Sequence, residues 1–557
     1  MPIDRRLFLA GSAALAMPAA TRAAISAPGA TPAQQSALAA IAAYFEAHRA
    51  HFALPAMGMV VVDGPFTAVI QSGTSDYLQK TPLTGAELWQ IGSISKSFIA
   101  LICLQLVAEG KLDLDADIRT LLPEAPLPDG APITVRGLLD HTTGLPDFTP
   151  AFLADGGKLW RGFESGAHWS YSNTAYNLIG SAIEHIEGRP LAASIEARIA
   201  RPLGMAATRG AIQFRDRARY PASYTAQRPD LPTRQRNPLA PAAWVDASLA
   251  AGSVAAPLPD MARYLRYLIA VGQGRGAPLI PDALATLWLA APAVEDPLTP
   301  DDTYGLGLMH RNDDGRALLH HTGGMVSFSS SFHVDAAASS GAFASGAVGG
   351  TGYRPRLLTR FACHALRLAA AGRPLPTPPR LGSPPPTDAA AYAGRYAGSA
   401  GTGIISGNPD LKIAAAGITG TTEAKAVDVF LTDHPRFERF ALNFVREAGN
   451  VVAIDHGADR YVREGASIEP LPKTSERIAA RAGHYQSDDA WIGGVTLVAR
   501  GDRLFVEGVD ALAEVGDDVW RPAAPAWNPE RFRFAGFVAG QPQVLVLSGR
   551  ALERRDG

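Results

Sequence analysis

Apolar residues recur at helical spacing over residues 34–51, 93–109, 174–187, 258–271 and 354–370. Such a pattern predicts helices with one buried face. The segment 93–109 is apolar around almost its whole circumference, which predicts a helix enclosed on every side, with Gly110 placed to end it. Runs rich in β-branched and aromatic residues at 58–62, 68–71 and 326–334, the last continuing through 348, predict strands. Strands at both ends of the block 30–372, with helices between and after them, predict an α+β fold. It is an antiparallel sheet flanked by helices, with a helical insertion.

The pattern changes at residue 373. Pro374, Pro376, Pro378, Pro379, Pro384, Pro385 and Pro386 mark a stiff linker over 373–388. Beyond it come short strands with Gly/Asp turns. Residues 494–499 and 503–506 around Gly501-Asp502 read as a hairpin, as do 532–538 and 544–547 around Gly540-Gln541. Tyr392-Ala-Gly-Arg-Tyr396 returns as Ala482-Gly-His-Tyr485. The repeat predicts two small antiparallel β-barrel domains, 389–474 and 475–557.

Residues 1–27 combine Arg5-Arg6, a short apolar run through Met17 and an alanine-rich stretch, the pattern of a twin-arginine export signal. The apolar run is shorter than the ~20 residues that span a bilayer, so a periplasmic or secreted protein without a membrane span is expected. Lys+Arg number 51 and Asp+Glu 53, leaving no basic surplus for a nucleic acid. Two cysteines exclude a disulfide framework, and Cys103 and Cys363, each in an apolar helical run, are expected as buried free thiols. His48-Arg-Ala-His51 lacks the glutamate of a zinc protease motif and reads as a pair on a helix surface. No G-x-S-x-G nucleophile turn occurs, and the glycine-rich run 341–352 lacks the Lys-Ser/Thr of a phosphate loop.

The candidate chemistry lies at the start of the enclosed helix. Ser93 and Lys96, three residues apart, project from one helical face. A serine hydroxyl needs a neighbouring base, and a desolvated lysine loses its proton easily enough to be one. The helix N-terminus also aims backbone N–H groups where an oxyanion would develop. The chain has only seven lysines against 44 arginines, and Lys96 alone has a serine three positions before it. Ser95 and Ser97 are competing hydroxyls without a lysine at that spacing. Two further segments carry polar groups: Tyr171-Ser-Asn173 before a helix, and His321-Thr-Gly323-Gly324 at a strand edge, with Tyr304 shortly before it.

Together, Ser93-x-x-Lys96, Tyr171-x-Asn173 and His321-x-Gly323 resemble the three motifs of the serine β-lactamase and penicillin-binding-protein superfamily. The likeness is to the branch of class C β-lactamases, D-alanyl-D-alanine carboxypeptidases, related esterases and D-aminopeptidases. Residues 133–145, 202–205 and 260–265 resemble it as well. The resemblance implies a β-lactamase-like catalytic domain in which Ser93 forms an acyl-enzyme and Lys96 and Tyr171 share the acid–base work. It further implies that Asn173 positions Lys96 and the substrate, that the N–H groups of Ser93 and Gly324 form an oxyanion hole, and that His321 lines the opposite wall. No cofactor or metal is implied.

His321 departs from the lysine of many relatives. A neutral imidazole holds a substrate carboxylate less well than an ammonium, which counts against penicillin and carboxypeptidase chemistry. The proline linker and two barrels resemble the layout of D-aminopeptidases, in which a loop of the last domain shapes the active site. Asp488, Asp489 and Asp510 are candidates for an acidic group on such a loop. The expected activity is therefore a peptidase or aminopeptidase acting on small peptides or amides containing D-residues or other unusual units. An esterase, a β-lactamase-like hydrolase and a non-catalytic peptide-binding protein are the alternatives, and a homodimer stays open.

Overall fold

The structure is a computed structural model that describes residues 23–154, 156–290 and 301–555. One antiparallel sheet organises the first part of the chain. Its strands are β1 (Ala24–Ser26), β2 (Ala56–Asp63), β3 (Phe66–Gly73), β4 (Asp302–Gly305), β5 (Leu308–Asp313), β6 (Arg316–Gly324), β7 (Ser329–Asp335) and β8 (Ser340–Gly346). They lie in the order β1-β3-β2-β8-β7-β6-β5-β4. Alternation along β2 separates two cores. Met57, Met59 and Val61 pack with the helices Pro32–His51 and Arg356–Ala370. Val60 and Val62 join the larger core with the helices Ser95–Ala108 and Leu258–Gly272. The helical insertion enters between β3 and β4.

Both halves of the tail close into eight-stranded antiparallel barrels, the first over 394–463 and the second over 483–555. The sequence repeat has a structural basis. In the first barrel the Tyr396 hydroxyl donates to the Tyr392 carbonyl at 2.8 Å; in the second, Tyr485 donates to the Arg481 carbonyl at 3.0 Å. Arg463 and Arg554, on the two closing strands, donate to the carbonyls of Ala393 and Ala482. Each barrel thus repeats a tyrosine bond that ties its first strand to the turn before it and an arginine bond from its last strand to the same segment.

Three expectations meet the structure differently. Most of the export signal, 1–22, lies outside the described residues, whereas Ala24–Ser26 forms the edge strand β1 against β3. His48 is not on a surface: it is 1% exposed, packed between Tyr44 and Tyr353, because the Arg356–Ala370 helix and its leading turn cover that side of the first helix. The enclosed helix starts as a 3-10 turn, Gly92–Ile94, before the α-helix Ser95–Ala108. Cys103 and Cys363 are buried and free. Among the described residues no helix is long and apolar enough to cross a membrane.

The second barrel docks on the loop that leads from His141 to His168. Trp160 Nε1 donates to the Pro529 carbonyl at 2.6 Å, and the His168 ring stacks on Trp527 at 4.6 Å. The first barrel contacts the insertion, where the Gln235 N–H donates to Glu423 at 2.8 Å.

Candidate active site

Ser93 sits on the 3-10 turn and Lys96 one turn on, at the start of a helix that is buried almost throughout. Lys96 is fully buried, and its Nζ lies 3.1 Å from Ser93 Oγ, 2.6 Å from Asn173 Oδ1 and 2.8 Å from the Ala251 carbonyl. Burial lowers its pKa from 10.5 to about 7, opposed by the negative charge of Asp147. The three neighbours differ in kind. Asn173 Oδ1 and the Ala251 carbonyl can only accept. A free amine therefore spends its two N–H groups on them and turns its lone pair to Ser93 Oγ. The competing hydroxyls are engaged elsewhere: Ser95 accepts from the Val254 N–H, and Ser97 donates to the Ile94 carbonyl and meets the Tyr264 hydroxyl.

Asn173 opens the helix Asn173–Glu187, whose N-cap is Ser172: its hydroxyl accepts from the Ala175 N–H and donates to the Pro146 carbonyl. Asp147 fixes the orientation of Asn173. Its Oδ1 accepts from the Asn173 backbone N–H at 2.7 Å and from Nδ2 at 2.8 Å, so the amide oxygen is left facing Lys96. Burial raises the pKa of Asp147. The Tyr171 ring lies with its centroid 4.7 Å from Lys96 Nζ and packs on His141 at 4.4 Å. His141 is buried and neutral, its pKa driven well below the usual value by desolvation, and its Nδ1 accepts from the Ser172 N–H. The segment carrying Tyr171 and Asn173 is thereby held from two sides.

The end of β6 approaches the nucleophile turn closely. Gly92 has φ +57°, and a Cβ there would lie 2.7 Å from the Gly324 nitrogen. Only glycine permits this approach, which places Gly324 beside the residue preceding Ser93. His321 is 1% exposed. Its Nδ1 faces the Thr322 carbonyl at 2.6 Å, which makes Nδ1 the protonated nitrogen and Nε2 the acceptor for the Tyr304 hydroxyl at 3.2 Å. Desolvation first, and Lys96 second, lower its pKa to about 3. His321 is thus a neutral, internally bonded group in the wall. Beside it lies Arg354, whose guanidinium donates to Ser329 Oγ and the Tyr353 carbonyl, is held below its usual pKa by desolvation, and crosses Gly324 so tightly that a Cβ there would meet Nη2 at 2.0 Å.

The sequence profile described as Beta-lactamase matches residues 41–348. The chain belongs to the beta-lactamase family. This family is one of serine hydrolases, and the match covers the sheet from β2 to β8, the insertion and every residue of the cluster, while β1, Arg354 and both barrels lie beyond it. The chain is 30% identical over 192 residues to esterase EstB of Burkholderia gladioli, covering 29% of this chain and 49% of the esterase. It is 33% identical over 154 residues to penicillin-binding protein 4* of Bacillus subtilis, covering 25% of this chain and 34% of that protein. The chain therefore spans half or less of the length of these curated relatives. The structure of an octameric penicillin-binding protein homologue from Pyrococcus abyssi shares the fold, with a TM-score of 0.54 at 19% identity. That match covers 76% of this chain and all of the other.

The cluster gathers Ser93, Lys96, Tyr171, Asn173, His321 and Gly324. The acidic candidates of the second barrel do not join it: Asp489 accepts from Arg550 and from the Trp491 N–H, Asp488 is exposed, and Asp510 is exposed at the start of a strand. Sequence reasoning passed over Asp147, Arg354 and Glu530. Asp147 follows the 133–145 segment by two positions, which was the one available signal. Glu530 had none, since it comes from another domain.

Proposed function

We propose that Ser93, Lys96 and Tyr171 form the catalytic centre of an acyl-enzyme serine hydrolase that cleaves small peptides or amides, including those with D-residues. The observation that carries this reading is the 3.1 Å approach of a fully buried lysine amine to Ser93 Oγ. In this mechanism Ser93 Oγ attacks the substrate carbonyl as its proton passes to the lone pair of Lys96. The N–H groups of Ser93 and Gly324 receive the oxyanion. The proton then travels through Tyr171 to the leaving amine, and the C–N bond breaks to leave the acyl group on Ser93. Water adds to that ester, gives its proton back to the base, and releases the acid and Ser93.

The neutral His321 supports a substrate bound without a carboxylate clamp on that wall of the site. The second barrel reaches the loop beside the site, with the Trp491 ring 6.3 Å from that of Phe148. Ester hydrolysis is the second reading, supported by the likeness to EstB. We also read the protein as three domains (30–372, 389–474 and 475–557) exported by a twin-arginine signal in 1–27.

The test is a panel of D- and L-aminoacyl amides, D-Ala-D-Ala peptides and nitrophenyl esters, assayed with the wild type and Ser93→Ala, together with fluorophosphonate labelling mapped by mass spectrometry. Amide turnover and an adduct on Ser93, both absent in Ser93→Ala, are expected. Turnover of esters alone would favour the second reading, and undiminished turnover by Ser93→Ala would refute both.

A further inference from the structure

We propose that Glu530, on the second barrel, is a positioning residue: it holds the backbone of Asp147, and through Asp147 and Asn173 it keeps the Lys96 amine aimed at Ser93. The inference rests on the catalytic reading above and extends it into a domain outside the family match.

The contacts form an unbroken line. Glu530 Oε1 accepts from the Asp147 N–H at 2.7 Å. Asp147 Oδ1 accepts from both nitrogens of Asn173, and Asn173 Oδ1 accepts from Lys96 Nζ at 2.6 Å. Glu530 is itself fixed, since Oε2 accepts from the Ser548 hydroxyl, and Ser548 Oγ accepts from the Arg531 N–H at 3.1 Å.

A second observation shows why the loop needs holding. Phe148, next to Asp147, has φ +49°, a left-handed conformation that a bulky aromatic residue adopts only when its surroundings impose it. The second barrel supplies clamps on both sides of this strained dipeptide. Glu530 takes the N–H of Asp147, and Arg550 Nε donates to the Phe148 carbonyl at 2.6 Å. Without them the dipeptide can relax and Asp147 can move away. Asn173 is then free to turn its NH2 group toward Lys96, a donor facing a donor, and the lone pair loses its alignment with Ser93 Oγ.

What matters in this arrangement is the reach of the Glu530 side chain and its acceptor oxygen. Two conservative variants separate reach from charge. Glu530→Gln keeps the length, keeps an oxygen for the Asp147 N–H and can donate to Ser548 Oγ. Glu530→Asp keeps the charge but falls short by about 1.5 Å, one C–C bond.

The experiment measures kcat and KM of the full-length protein on the best substrate of the panel, with thermal unfolding as the folding control. Glu530→Gln should stay within about twofold of the wild type. Glu530→Asp should lose roughly ten- to a hundredfold in kcat, with KM changed by less than about threefold, as expected when a reacting group is misaligned by around an ångström. Arg550→Met should lower kcat in the same direction. A Glu530→Asp variant with wild-type kcat, or a Glu530→Gln variant impaired as far as Glu530→Asp, would overturn the proposal. Labelling of wild-type Ser93 keeps the two readings apart. If Ser93 takes no fluorophosphonate, the catalytic reading itself has failed; if it is labelled and Glu530→Asp is unimpaired, only the role of Glu530 has.

Discussion

Replacing Lys96 by arginine tests whether the buried amine works as a base. Burial brings the Lys96 pKa from 10.5 to about 7. Half of the molecules then carry a free amine at pH 7, against about one in three thousand for an ordinary lysine. Desolvation thus supplies about three orders of magnitude of usable base. A guanidinium with a pKa above about 12 leaves fewer than roughly one molecule in 10⁵ neutral, whatever its position. Lys96→Arg is therefore expected to slow Ser93 acylation by at least about 10³-fold, within the usual range for loss of a general base. Stopped-flow acylation with a nitrophenyl ester or a fluorophosphonate measures this directly. The pH dependence has a defined sign. The group acts after losing its proton, so the wild-type rate should be full above pH 7 and fall away as pH drops through about 7. Asp147→Asn removes the negative charge that opposes the shift and should move this midpoint to lower pH. A near-native rate for Lys96→Arg, or a wild-type rate independent of pH between 5 and 9, would refute the assignment.

Other outcomes follow from single contacts. Tyr171→Phe should lower kcat by roughly 10²–10⁴-fold; steady-state kinetics within threefold of wild type would count against its proposed role. Gly92→Ala places a Cβ 2.7 Å from the Gly324 nitrogen at a positive φ, and should cost about 10²–10³-fold in kcat by displacing the proposed oxyanion donor. His321→Lys puts an ammonium where the native ring is neutral and 1% exposed; it should destabilise the protein by about 3–5 kcal/mol, seen as a lower denaturant midpoint, rather than create a carboxylate site. Tyr396→Phe leaves the Tyr392 carbonyl without its hydroxyl donor and should cost about 1–3 kcal/mol in the first barrel, with kcat unchanged.

The second barrel changes how the catalytic domain is understood. The loop 141–168, within the helical insertion, takes partners from the barrel: Trp527, Pro529, Glu530 and Arg550. A strained residue such as Phe148 persists where neighbours over-determine its conformation, and here those neighbours come from a separate domain.

What could be read from the chain alone was whatever depends on near neighbours in sequence. The 3.6-residue period placed the Ser95–Ala108 helix, and a three-residue spacing on one face brought Lys96 within 3.1 Å of Ser93. The repeated Tyr396 and Tyr485 marked two barrels because each hydroxyl bonds a carbonyl only four residues back. Tyr171 and Asn173 were reached through family resemblance, since nothing local ties them to a lysine 77 positions before Asn173. The tertiary structure alone decided the rest. His48 looked like a surface residue until the Arg356–Ala370 side of the domain covered it, and Glu530 meets Asp147 across 383 positions. The proton affinity of Lys96 belongs to this second group as well. Helical periodicity and local hydrogen bonds are set within a few residues, whereas desolvation and charge depend on every segment that closes around a group, and only the folded chain brings those segments together.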